Sequence, residues 1–156
     1  MKQLFIPVIL LFALLAFACK KSKEYVHCTF TVNGVDKNYE NSDYFSTSLC
    51  GASTWCGHFT REPLTATKNY MKFGIPGDPV VGRIYTNGEH GYKVVYRNEY
   101  ETEYTLGFGQ MNLSFTRWDG AGGWAEGTFS GWLKSLAGDS IQISNGYFQN
   151  MVSSGE

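Results

Sequence analysis

Hydrophobic and polar positions alternate with period two along most of the chain, and the breaks fall at Gly, Asn and Pro. This spacing marks half-buried β-strands, not the 3.6-residue period of amphipathic helices. Val26, Cys28, Phe30 and Val32 alternate with His27, Thr29 and Thr31, and Asn33-Gly34 then supplies the positive φ angles of a tight hairpin turn. Met71, Phe73 and Ile75 alternate with Tyr70, Lys72 and Gly74 until Pro76-Gly77-Asp78-Pro79 stops the strand. Arg83-Ile84-Tyr85 leads into Asn87-Gly88, a second hairpin signal, with Tyr92, Val94 and Tyr96 as the return. Ile141 and Ile143 alternate with Ser140, Gln142 and Ser144 before Asn145-Gly146 breaks the register. About eight short strands at this spacing predict an all-β fold, a single antiparallel β-sandwich of immunoglobulin-like or jelly-roll-like form. The span from Asn41 to Lys68 is the least periodic and reads as a long connection with a short strand near Trp55.

The hairpin from Met111 to Lys134 is the most informative segment. Symmetric closure across Asp119-Gly120-Ala121-Gly122-Gly123 pairs Trp118 with Trp124, Phe115 with Gly127, Leu113 with Phe129 and Met111 with Gly131. Large side chains then oppose glycines on the core side. The other face would carry Trp118, Trp124 and Trp132 among Asn112, Ser114, Thr116, Glu126, Thr128 and Ser130. Large aromatics on a polar face mark an interface, unless Trp118–Trp124 is a cross-strand pair that stabilises the hairpin or is covered by another loop. Flat indoles beside hydroxyl, amide and carboxylate groups suit a sugar ring, so Trp118, Trp124, Trp132, Glu126 and Asn112 are the ligand-binding candidates.

The first residues change the picture of where this domain sits. Met1-Lys2-Gln3 is a short positive start, and Leu4 to Ala18 carries no charged side chain. That run is shorter than the roughly 20 residues a membrane-spanning helix needs. It matches the apolar middle of a secretory signal segment, predicted over residues 1–18. Leu15-Ala16-Phe17-Ala18-Cys19 resembles the lipobox of bacterial lipoproteins, with Ala16 where a larger aliphatic residue is usual. Cys19 is thus the expected lipid attachment site, and residues 19–24 a short basic tether to an all-β domain over 25–156. Ala16-Phe17-Ala18 also reads as an ordinary A-x-A site, which would release a soluble secreted or periplasmic protein.

Composition narrows the partners. With 13 basic and 14 acidic residues the formal net charge is −1, which excludes the basic excess that nucleic-acid binding requires. Lys20, Lys21 and Lys23 would lie beside the lipid, either favouring anionic headgroups or serving as a solvated spacer. With Cys19 lipidated, Cys28, Cys50 and Cys56 permit one disulfide, for which Cys50–Cys56 is the first choice. Cys28 would then be a buried thiol, although its pairing with Cys50 or Cys56 stays open.

Catalytic chemistry finds little footing. Cys56 and His58 invite a thiol-nucleophile reading, without a third group to orient the base. His27, His58 and His90 lack zinc-ligand spacing. Glu99, Glu101 and Glu103 could share one strand face as calcium ligands, but a solvated acidic edge, which also discourages edge-to-edge aggregation, accounts for them better. No cofactor and no metal is implied, and a glycosidase would need two carboxylates across a cleft that no pair here indicates.

Phe30-Thr31-Val32-Asn33-Gly34, and Gly127-Thr128-Phe129-Ser130-Gly131 joined to Asp139-Ser140-Ile141-Gln142-Ile143-Ser144-Asn145-Gly146-Tyr147-Phe148, resemble small lipoproteins of unknown function common in the Bacteroidota. The resemblance implies an all-β domain exported to the outer membrane or cell surface, and brings no activity. Asp139-Ser140-Ile141 also resembles the short O-glycosylation motif of that group. The expected function is a membrane-anchored lipoprotein with a non-catalytic domain that binds a glycan or an envelope protein partner. A lipid-anchored structural subunit without a small ligand is the alternative, and a small secreted hydrolase the third reading.

Overall fold

A computed structural model describes residues 26–43, 55–61 and 68–152. Among the described residues, ten strands form one antiparallel sheet: β1 (His27–Val32), β2 (Val35–Tyr39), β3 (Asn41–Asp43), β4 (Trp55–Thr60), β5 (Tyr70–Ile75), β6 (Ile84–Tyr85), β7 (Lys93–Arg97), β8 (Glu103–Trp118), β9 (Trp124–Ser135) and β10 (Ser140–Met151). The order across it is β2-β1-β10-β9-β8-β7-β5-β4-β3, with β6 also paired to β8. The expected signal segment, Cys19 with its tether, and Cys50 lie outside the described residues.

The antiparallel all-β class is as expected. The strands belong to one sheet, however, not to the two stacked sheets of a sandwich, and the reason lies in β2 and β3. They are consecutive in the chain, separated by Glu40 alone, yet they occupy opposite edges of the sheet. With strands roughly 4.8 Å apart, a flat sheet in this order would hold those edges about 38 Å from one another. One intervening residue cannot span that, so the sheet curls into a half-barrel. Side chains from distant strands therefore meet inside. Phe30 of β1 and Tyr96 of β7 have β10, β9 and β8 between them in the sheet, and their ring centroids are 5.8 Å apart. Phe59 of β4 lies 5.8 Å from Phe148 of β10, and Phe73 of β5 lies 4.7 Å from Phe129 of β9. The interior is filled by these rings with Met71, Met111, Leu113 and Phe115, all buried.

Local signals explain most boundaries. Asn33 and Gly34 both adopt positive φ, 49° and 82°, closing the β1–β2 hairpin as the sequence predicts. β5 stops at Ile75 before the Pro-Gly-Asp-Pro run. The hairpin expected at Asn87-Gly88 does not form: β6 pairs with β8, whereas β7 pairs with β5 and β8. The Asn87 side chain is the cause. Its amide donates to the Gly109 carbonyl and its oxygen accepts from the Met111 N–H at 3.2 Å, pinning the turn to β8.

The core side of β8–β9 has the predicted pairs Met111–Gly131, Leu113–Phe129 and Phe115–Gly127. Gly127 also pairs with Phe148 of β10, and a methyl group there would press into the Phe148 ring and the Ser114 carbonyl. Gly127→Ala is expected to destabilise the fold by about 1–3 kcal/mol through overpacking, against about 0.5 kcal/mol or less for Thr128→Ala on the outer face. Equal denaturation midpoints for the two variants would contradict the close approach.

Burial raises the hydroxyl pKa of Tyr39, Tyr92 and Tyr96 above the usual value. A raised folded-state pKa favours the neutral phenol in the fold. The corresponding stability is complete below the ordinary tyrosine value of about 10 and declines as pH climbs past it. Denaturant midpoints should accordingly fall between about pH 9 and about pH 11. A constant midpoint across that window would show these hydroxyls to be solvated.

Candidate functional site

The outer face of β8, β9 and β10 carries the residues singled out from sequence, and it divides them differently. After Phe115–Gly127 the register shifts, so that Arg117 pairs with Glu126 and Trp118 with Ala125. Thr116 is the extra residue of a β-bulge, and one extra residue moves everything after it to the opposite face. Trp118 consequently turns inward with buried Ala125. Its ring packs 5.9 Å from core Phe115 and 5.1 Å from Trp55, both nearly edge-on. The expected pair Trp118–Trp124 and the three-tryptophan face are thereby corrected. Trp124 is half-buried and pairs with Met151. Trp132 is 37% exposed, with the Lys134 ammonium 5.2 Å from its ring centroid. These two share a side of β9, but eight residues of strand place them about 27 Å apart.

Glu126 lies in a row whose groups satisfy one another. Arg117 Nη1 is 3.1 Å from Glu126 Oε1, Tyr147 Oη donates to Oε2 at 3.3 Å, and Gln149 Nε2 donates to Oε1 at 3.4 Å. Arg117 also holds Asp119, with Nε 2.7 Å from Oδ2, and this hydrogen bond is the main cause of the lowered Asp119 carboxyl pKa. Burial, then the Glu126 charge, raises the Tyr147 hydroxyl pKa. The row serves as a cross-strand clamp and leaves Glu126 little capacity for a ligand.

The next rows along the same face are open. Ser114 pairs with Thr128 and Asn112 with Ser130, giving a floor of short side chains. These four, with Asn145, make no side-chain hydrogen bond to any described residue. Ile84 of β6, opposite Ser114, forms one wall and is 59% exposed. The other wall is a kink in β10, where pairing to both β1 and β9 slips around Ser144–Gly146. Asn145 takes a left-handed φ of 52°, and Gly146 lies against the Phe129 ring too closely for any Cβ. Ser144 Oγ is fixed 2.5 Å from Thr31 Oγ1. Together they enclose a depression of about 470 Å³. Sequence reasoning placed Asn112 correctly on this face. It missed Ile84, which was assigned to a hairpin, and Asn145, read only as a strand break.

The other candidates scatter. Cys28 is free and fully buried, and that burial raises its thiol pKa. Cys56 is buried, and its expected partner Cys50 lies outside the described residues. His58 packs edge-on against Tyr70 at 5.2 Å. The three glutamates do not line one strand face: Glu99 and Glu101 lie in the turn before β8, and only Glu103 enters the strand. Glu101 contacts Arg97 at 3.9 Å, and Glu103 accepts from Tyr70 Oη at 3.4 Å. Among the described residues, no three His, Cys, Asp or Glu side chains gather as a metal set. Comparison of the chain with known protein families, curated proteins and solved structures finds no match.

The inward turn of Trp118 has a direct consequence for stability. Trp118→Ala should cost about 2 kcal/mol, below the roughly 3–5 kcal/mol of a fully buried aromatic because Trp118 is only partly buried against the core, and Trp132→Ala no more than about 0.5 kcal/mol. Urea denaturation of the two variants measures the difference, and similar small losses would return Trp118 to the surface.

Proposed function

We propose that this protein is a lipid-anchored, non-catalytic component of a bacterial cell envelope, which meets a glycan or an envelope partner through the outer face of β8–β10. The observation that carries the reading is the run from Leu4 to Ala18, ending at Cys19 and followed at once by Lys20-Lys21-Ser22-Lys23. Cleavage before Cys19 would leave an acylated cysteine and a short tether ahead of β1. The resemblance to Bacteroidota lipoproteins supports the outer membrane or cell surface as its place. On the binding side, the support is a polar floor left open beside a row that is internally satisfied.

The structural-subunit reading has an observation of its own. The β1–β2, β7–β8 and β9–β10 turns lie side by side at one end of the sheet and present Val35, Tyr100 and Leu136, the last two 80% and 97% exposed. Exposed apolar tips grouped in this way suit contact with another protein.

Cell fractionation tests the anchor. Wild-type protein should partition with membranes and incorporate labelled fatty acid, and Cys19→Ala should do neither. A Cys19→Ala protein that stays membrane-bound would sink the lipoprotein reading, and an unlabelled soluble wild type would favour plain secretion.

A further inference from the structure

The depression between Ile84 and the β10 kink has a lining chemistry that narrows what could fill it. Among the described residues, no charged side chain lines it. A nucleic acid or an anionic polymer would need cations there to offset its phosphates or carboxylates. An extended peptide would need a free strand edge for main-chain pairing. Where they line the depression, the described strands are already paired on both sides: β8 with β9 and, at Leu113–Ser114, with β6; β9 with β8 and β10; and β10 with β9 and β1.

What the lining does supply is hydroxyl and amide groups, each able both to donate and to accept, together with an exposed aliphatic wall. Asn112 and Asn145 bring amides from opposite sides, Ser130 and Thr128 contribute hydroxyls between them, and Ile84 offers methyl groups. The volume of about 470 Å³ lies within the range of roughly 300–1,000 Å³ for ligand pockets. Trp132 follows Ser130 by two residues on the same outward side of β9 and is itself exposed.

We propose that this depression binds a pyranose ring of a neutral oligosaccharide, with its C–H face against Ile84 and its hydroxyl edge on Asn112, Ser130 and Asn145. The inference rests on the reading of the outer face as the binding surface, and it adds the ligand class and the contact residues. Uncharged hydroxyls match groups that both donate and accept, and an apolar ring face matches the aliphatic wall. Glu126 takes no part, because Arg117, Tyr147 and Gln149 already occupy it.

The test is an NMR titration of the full chain, purified in a phosphocholine detergent that has no sugar headgroup. The probes are maltopentaose, cellopentaose, xylopentaose and mannopentaose, with polygalacturonate as the anionic control. At least one neutral probe should shift the backbone amides of Asn112, Ser130 and Asn145. Asn112→Ala and Asn145→Gly should each weaken that binding on the order of tenfold, and Gln149→Ala in the clamped row should not. Asn145→Gly preserves the left-handed backbone, so it serves even if another variant folds poorly. The proposal is overturned if no neutral probe shifts these amides at about 5 mM, if the shifts map elsewhere, or if polygalacturonate binds as tightly as the neutral sugars. Those outcomes leave the anchor untouched, because lipid attachment at Cys19 is read separately by fractionation and labelling.

Discussion

The fold depends on a single stretch of chain that belongs to both edges of its sheet. Val35–Tyr39 pairs with β1, Asn41–Asp43 pairs with β4, and only Glu40 lies between them. Geometry then requires the sheet to curl, and curling creates the interior. Eight strands' width of backbone is drawn round until Phe30 meets Tyr96 and Phe59 meets Phe148. Without that closure the aromatic residues on the concave side would have no opposing layer, and a one-layer sheet cannot exclude water from them.

Curling also gives the convex face its character. Long, twisted strands bent around a core accommodate the strain at bulges and irregularities; β8 carries two, at 105–110 and 115–117, and β10 one. The bulge at Thr116 turns Trp118 toward the core, where it packs partly buried, and lines Arg117 up with Glu126. The kink at Ser144–Gly146 does the opposite for function, since it opens a hollow where a regular strand would have presented a flat surface. Clamp and depression sit beside each other on the same three strands, one built from long charged side chains that bind each other and the other from short polar ones that do not.

Much of this was legible in the sequence. Period-two alternation identified the strands, Asn33-Gly34 located a hairpin, and symmetric closure of the β8–β9 loop, with Met111 and Phe115 opposite glycines, gave their register over three pairs. Those features are local or nearly so. What escaped was long-range or depended on one residue. Nothing in Val35–Asp43 states that it switches partners, because each half is an ordinary short strand, and so the sheet was expected to form two layers. A single-residue bulge leaves alternation almost intact on either side, which is why Trp118 was expected on the outer face. The opposition of Arg117 to Glu126 and of Trp118 to small Ala125 was the available clue. Asn87 misled in the same manner: as half of an Asn-Gly pair it signals a hairpin, but its side chain is captured by the backbone of β8.

The measurement that bears most directly on this account is a set of aromatic NOEs in the folded protein. Contacts between the Phe30 and Tyr96 rings and between the Phe59 and Phe148 rings cross the interior between strands that are far apart in the sheet order. The account predicts both, alongside the ordinary cross-strand contacts of β8 with β9. Strong β8–β9 contacts without either transverse pair would mean that the sheet does not curl, and the convex face with its hollow would not exist in this form.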